Sequence, residues 1–402
     1  MSQIQKFLFD GLPVRGVIVR LTDAWQEVLK RRANNPESGA YPTPVRTMLG
    51  EMVAGSVLLQ SSIRFNGALV LQMQGDGPVK MAVAEVLPNL GLRATASMVG
   101  EMAPDAGLAE LVNAHGKGRC AITLDPLDRQ AGQQPYQGIV PLADADGQPL
   151  SNVAHALENY MCSSEQLETT LLLAANEHVA TGLLLQRLPM EGAGNLAGTA
   201  AADMANDEES HFQRLAVLAQ SLTRQELLEL DIDTILHRLF WNEQILRFAP
   251  DSSDPVPHFH CNCSAERVAN MLRSLGQEEV ESILAEQGFV HVDCNFCGQP
   301  FASIRLKPCR FSPRPFTNPQ PASKRNKNPH QRGAAHARTP KRLHGRFFYR
   351  FCMACRTAAN WRRETGSKLL APSSCSNQPS LPSACTQCLS CRSNWRCTKV
   401  LR

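Results

Sequence analysis

Short apolar runs, bounded by Gly, Pro, Asn and Asp, dominate the first 190 residues and predict strands interleaved with a few helices. Val14–Leu21 (VRGVIVRL) reads as a strand, and Asp23 can cap a helix that runs to Arg32. Pro42 and Pro44 break the chain before a helix from Val45 to Leu59, whose Met48, Leu49, Met52, Val53 and Val57 place it at the centre of the core. Arg64–Gln74 alternates as a strand, Gly75-Asp76-Gly77-Pro78 turns, and Val79–Leu87 returns as the second arm of a hairpin. Further strands are expected at Leu92–Val99, Cys120–Leu124 and Gln137–Leu142, and a helix at Ser151–Met161. Thr169–Ala175 and Val179–Leu188 form an apolar hairpin around Asn176-Glu177-His178.

The period changes beyond residue 190. After Gly192-Ala193-Gly194 and the acidic cluster Asp207-Glu208-Glu209, the chain carries amphipathic helical segments. Thr223 and Glu226 fit a capping box, and Ile235, Leu236, Leu239, Phe240 and Trp241 make an apolar face that needs a partner to cover it. Asp251–Pro257 is a linker. From His258 to Phe301 the pattern is a small module. Ser264 caps a helix with Val268, Met271, Leu272 and Leu275 at i, i+3, i+4, i+7, and Gly276 ends it. A second helix places Val280, Ile283 and Leu284 inward and stops at Gly288, and Val290 and Val292 alternate into a turn.

That module is framed by Cys261-x-Cys263 and Cys294-x-x-Cys297, with thirty residues between the pairs. A helical hairpin of this length brings its ends together, so four sulfurs converge on one point, as a tetrahedral zinc ion requires. Gly298 permits the left-handed backbone of a metal-gripping turn. A module this small buries too little surface to stand alone, which makes a metal the expected staple. Unconnected buried thiols, structural disulfides, or His258 or His260 replacing a sulfur are the competing readings. Spacing alone leaves open whether such a centre is a structural pin or a redox switch.

Charge divides the chain at the same place. Residues 1–300 hold 20 Lys and Arg against 36 Asp and Glu, a net of −16, whereas residues 301–402 hold 21 against one, a net of +20. The tail is rich in Pro, Arg, Ser and Cys and resembles out-of-frame translation of a GC-rich gene; a disordered or non-native segment is expected there. A basic nucleic-acid-binding tail and a second metal site at Cys352-x-x-Cys355 and Cys385-x-x-Cys388 are its alternatives. No apolar run suits a signal peptide or a membrane span, so a cytoplasmic, reducing compartment is expected, where clustered cysteines read as metal ligands or redox thiols. No phosphate-binding loop suggests ATP use. Cys120 and Cys162 read as small buried side chains.

Several extended motifs then align with one family. VRGVIVRL at 14–21, LVLQMQGDGPVKMAV at 69–83, YQGIVPL at 136–142, SSEQLETTLLL at 163–173, GLLLQRLP at 182–189 and the C-x-C…C-x-x-C-G set resemble the 33 kDa heat-shock protein family of redox-regulated chaperones over about residues 5–301. The resemblance implies a non-enzymatic, ATP-independent holdase, with zinc held by Cys261, Cys263, Cys294 and Cys297 when reduced. It also implies oxidation to Cys261–Cys263 and Cys294–Cys297 disulfides with loss of zinc, binding of unfolded client proteins, and a homodimer in the oxidised state. The expected fold is α+β: a mixed α/β core domain (1–190), a helical redox-sensitive linker (191–257), a zinc module (258–301) and the basic tail (302–402). No membrane partner is expected, and the acidic body repels nucleic acid. A zinc-dependent nucleic-acid-binding protein and a thiol–disulfide oxidoreductase using Cys294-Asn295-Phe296-Cys297 are the alternative functions.

Overall fold

The computed structural model describes residues 1–35, 39–129, 132–189, 199–249, 254–287 and 289–304. They belong to two compact units, one through Cys261 and one from Asn262. The first is built on two sheets. The five-stranded sheet has the order β10-β1-β2-β9-β8, formed by Ile245–Arg247, Gln3–Phe9, Val14–Leu21, Ala180–Arg187 and Thr169–Ala175, all antiparallel. The six-stranded sheet has the order β11-β5-β4-β3-β6-β7, from His258–Phe259, Gly91–Met98, Val79–Val86, Gly67–Gln74, Arg119–Pro126 and Tyr136–Pro141; only β11 pairs parallel to its neighbour.

Between the sheets lies α2, Thr43–Ser62, with fifteen of its 20 residues buried. A helix apolar all round is a core helix, and Leu49, Met52, Val53, Val57 and Leu58 share one cluster with inward residues of both sheets. Gly50 and Gly55 let neighbours come close: a Cβ on Gly50 would meet the Ala175 side chain at 2.4 Å, and one on Gly55 the Leu157 side chain at 2.6 Å. The helix begins with Pro42 as its N-cap and Pro44 in its first turn, where a missing N–H costs nothing. The remaining helices of the core are α1 (Asp23–Ala33), α3 (Leu108–Val112) and α4 (Val153–Ser163). α4 begins two residues later than expected, and Asn152 caps it by accepting from the His155 amide at 2.9 Å.

The cap expected of Asp23 is not made. Thr22 is the N-cap of α1 without a side-chain bond, and the Asp23 carboxylate instead accepts from both the amide and the hydroxyl of Ser2 at 2.6 Å. The partner is 21 residues away, so short-range spacing did not reveal it. Strand β1, helix α3 and strand β10 are additions to the expected elements. β1 shows alternation only in its last half, at Phe7 and Phe9.

The helical segment after residue 198 folds as α5 (Thr199–Gln220), α6 (Arg224–Glu229) and α7 (Ile232–Phe240). The capping box at Thr223 and Glu226 is formed. The partner its apolar face requires is the outer face of the five-stranded sheet. Phe212, Leu215, Leu236, Leu239 and Phe240 pack on Phe7, Phe9, Ile18, Leu183 and Leu185, with the Phe9 and Phe240 rings edge to face at 5.0 Å. The strands β2 and β9 are therefore buried on both faces, which explains their nearly unbroken apolar sequences. Two arginines fasten the layer. Arg20 on β2 donates to the carbonyls of Leu228 and Leu230 at 2.7 and 3.1 Å, at the end of α6. Arg224 pairs with buried Glu51 of α2 at 2.8 Å and donates to the Ala175 carbonyl at 2.8 Å.

In the second unit, α8 (Ala265–Leu275) and α9 (Gln277–Gln287) precede a hairpin of β12 (Val290–Asp293) and β13 (Pro300–Ile304). β13 runs three residues past 301. Gly192-Ala193-Gly194, Gly288 and the tail after Ile304 lie outside the described residues, as do the side chains of Asp207-Glu208-Glu209 on α5.

Candidate metal centre

Local structure delivers each cysteine. Ser264 caps α8 by accepting from the Arg267 amide at 3.2 Å, and Gly276 closes it at φ +92°. Val268 and Leu272 are buried, while Met271 is half-buried and Leu275 exposed. Cys263 thus precedes a helix N-terminus, whose partial positive charge favours a thiolate. Cys294 and Cys297 bracket the turn between β12 and β13. The Gly298 amide donates to the Cys294 carbonyl at 2.7 Å, and the Cys294 amide to the Gln299 carbonyl at 3.0 Å. Gly298 sits at φ +68°, the left-handed backbone expected of it.

The four sulfurs of Cys261, Cys263, Cys294 and Cys297 all lie within 4.8 Å of one another, and Cys263 and Cys297 are 3.5 Å apart. A zinc ion at about 2.3 Å from each of four sulfurs sets neighbours roughly 3.8 Å apart, so donor set and spacing both fit. All four are free thiols; Cys294 and Cys297 are buried and the other two half-buried. Neither His258 nor His260 belongs to this group among the described residues; the His258 Nδ1 instead faces the Val256 carbonyl at 2.9 Å. Cys120 is buried as expected, with its thiol pushed up to about 12 by burial. Cys162 is exposed, contrary to expectation, because it ends the outward face of α4. The C-x-x-C lies in a hairpin turn, not at the start of a helix where a dithiol oxidoreductase carries its pair.

Two residues beside the centre escaped the sequence reading. Arg93 on β5 is 2% exposed; its guanidinium pairs with Glu85 of β4 at 2.6 Å and reaches the Cys261 sulfur at 3.7 Å. Burial acts to lower the Arg93 pKa, but Glu85 and Cys261 outweigh it and the group is held above its ordinary value. A signal was present: Glu85 and Arg93 interrupt apolar strands at equal distances from Asn89, as a directly opposed cross-strand pair must, and the register pairs them.

No helix among the described residues is long and apolar enough to cross a membrane. The model of the Hsp33 protein family matches residues 2–302, ending where the charge changes sign. The 33 kDa chaperonin of Chromobacterium violaceum is 42% identical over 301 residues, covering 75% of this chain and 90% of the relative. The 33 kDa chaperonin of Neisseria gonorrhoeae is 39% identical over 294 residues, 73% of this chain and 85% of its own. The crystal structure of the 33 kDa chaperonin from Thermotoga maritima superposes with a TM-score of 0.52 at 19% identity, covering 73% of this chain and 92% of that one, and shares the fold. Matched by its model across both units and by relatives over most of their length, the chain belongs to the Hsp33 protein family.

Proposed function

We propose that this protein is a redox-regulated, ATP-independent holdase chaperone of the cytoplasm, inactive with zinc bound and active once its thiols are oxidised. The convergence of four thiols within 4.8 Å, in a member of this family, carries the reading. Cys261, Cys263, Cys294 and Cys297 would hold the zinc, which would supply about 10–16 kcal/mol of apparent folding energy to a unit too small to be stable alone. Deprotonated sulfurs are nucleophiles toward peroxide. One thiolate attacks hydrogen peroxide, breaking its O–O bond, and becomes a sulfenic acid as hydroxide leaves; a second thiolate displaces hydroxide from that sulfur, and each hydroxide takes a proton to become water. Two electrons pass from the thiols to the peroxide and one disulfide forms.

Since every sulfur lies near every other, proximity alone selects no pairing. The short loops favour Cys261 with Cys263 and Cys294 with Cys297, as the family implies, although C-x-C closure is strained. The disulfide form cannot ligate as four thiolates do, so the zinc module of 258–301 unfolds. The linker of 191–257 then loosens from the 1–190 core and uncovers Phe212, Leu236, Leu239 and Phe240 with the sheet face beneath them. Apolar surface of that kind captures partly unfolded clients without turnover of any substrate, and two oxidised chains pair through it as a homodimer.

Light scattering of a heat-denaturing client distinguishes the states. The peroxide-treated protein is expected to suppress aggregation without ATP, the reduced zinc form to leave it unchanged, and reductant with zinc to restore the inactive state. Equal suppression by both forms would leave a constitutive binder and end the switch. Replacing any one of the four cysteines with Ser should weaken zinc binding by about 100- to 1,000-fold, since each ligand carries roughly a quarter of the total. Full tight binding by both Cys261→Ser and Cys294→Ser would refute the ligand assignment.

A further inference from the structure

We infer that Arg93 is a positioning residue for the metal centre, fixing the Cys261 sulfur as a ligand through an N–H···S bond while Glu85 fixes Arg93. The inference rests on the four-thiolate reading and adds a group to it that contributes no ligand atom. Cys261 lies two residues beyond the end of β11. The His258 amide donates to the Leu90 carbonyl at 3.2 Å and the His260 amide to the Leu92 carbonyl at 2.9 Å, so the backbone is held on β5 up to the residue before the cysteine. Phe259 packs against the core cluster, with the Arg31 guanidinium 5.5 Å over its ring. This ladder places the Cys261 backbone beside β5. Arg93, one residue beyond Leu92 on the same strand, reaches the sulfur with Nη1 at 3.7 Å while Nη2 stays on Glu85 at 2.6 Å.

A guanidinium offers several donors in a fixed plane, so it can serve a carboxylate and a sulfur at once; an ammonium cannot hold both in that geometry. Four thiolates around a divalent ion carry a net charge of −2, and a donated N–H takes up part of it at Cys261. Groups that orient a ligand in this way typically change metal affinity by about 10- to 100-fold when removed. An arginine 2% exposed beside a carboxylate would otherwise be an ordinary buried ion pair, indifferent to the metal.

Zinc affinity of the full chain, by chelator competition, and the sulfur-to-cobalt charge-transfer band of the cobalt(II)-loaded protein test this. The Glu85→Met, Arg93→Met double variant removes both charges, so neither is left buried alone. It is expected to bind zinc about 10- to 100-fold more weakly than the wild type, with a shifted cobalt band. Arg93→Lys, which keeps the charge but not the fork, should fall between the two. Introduced into Cys261→Ser the double change should add no further loss; introduced into Cys263→Ser it should still weaken binding. Unchanged affinity and band, or an equal loss in both serine backgrounds, would overturn the inference and leave Arg93 structural. If the double variant fails to fold, Arg93→Lys decides: a shifted band supports the inference and an unshifted one overturns it. A wild-type chain that shows no thiolate–cobalt band refutes the four-thiolate reading itself, a result distinct from all of these.

Discussion

Asp23 ties the chain's second residue to the first helix, and its acidity records the tie. Hydrogen bonds from the Ser2 hydroxyl, against a smaller opposing effect of burial and with help from the Ser2 amide, lower its pKa from 3.8 to about 2. The folded state therefore favours the carboxylate. The stabilisation is present above the unfolded value of 3.8 and is lost as the pH falls toward 2. Asp23→Asn is expected to cost about 0.5–1 kcal/mol at neutral pH, the low end for a hydrogen-bonded group because the carboxylate faces solvent. Urea denaturation across pH checks this: the two proteins should converge near pH 2, and a constant gap would refute the assignment. At this scale sequence was informative where covalent spacing sets geometry. C-x-C, C-x-x-C and the Gly298 turn could be located because their parts are neighbours in the chain. Asp23 could not be assigned, because its partner Ser2 lies 21 residues away, just ahead of β1. Glu85 and Arg93 were missed for a different reason, since their symmetry about Asn89 becomes visible only once the strands are seen as a hairpin.

The decisive element is the α5–α7 layer, whose cover is a sheet face rather than another helix. Its sequence announced a capping box and an apolar face in need of a partner; the box is formed and Ile235, Leu236, Leu239 and Phe240 are covered, whereas Trp241, expected on the same face, is exposed because it follows the last turn of α7. The partner was hidden because β1 shows its apolar side only at Phe7 and Phe9, and β10 is three residues long and is held by pairing with β1. Leu236 is fully buried at the centre of the contact. Leu236→Ala should cost about 2–5 kcal/mol of the layer's docking. Hydrogen exchange in α6 and α7 should accelerate while β3–β6 keep their protection. If the layer covers the client surface, the reduced, zinc-loaded variant should suppress client aggregation without oxidant. Faster exchange with no suppression would show that the client surface lies elsewhere. Glu51 adds a polarity to the fastening. Burial raises its pKa and the Arg224 guanidinium opposes that rise, so the charged pair, not the carboxylate alone, is compatible with the core.

For the whole molecule, the sign of charge changes where the family match ends. The acidic part, net −16 over residues 1–300, carries all but four of the described residues and nearly the whole family match, and the +20 segment follows. The strand β13 fixes where a shortened chain must end. Backbone pairing joins Val290 with Ile304, His291 with Ser303 and Val292 with Ala302, so a cut at 301 would strip the register partners of β12 just before Cys294. A cut after Ile304 leaves that ladder whole, along with the Gly298 and Gln299 backbone bonds that shape the C-x-x-C turn. The chain ending at 304 is therefore expected to bind one zinc with the affinity of the full-length protein and to release it to peroxide at the same rate. The chain ending at 301 should bind more weakly, since β12 loses three partners at the base of the turn. Removing 21 cationic residues with one acid should also abolish any salt-sensitive binding to nucleic acid, because the remaining body repels phosphate. Zinc release followed with a colorimetric chelator, on both shortened chains and the full one, separates these effects. Loss of zinc from the 304 chain, with the tail's own cysteines protected from alkylation in the full-length protein, would show that residues beyond 304 belong to the metal centre.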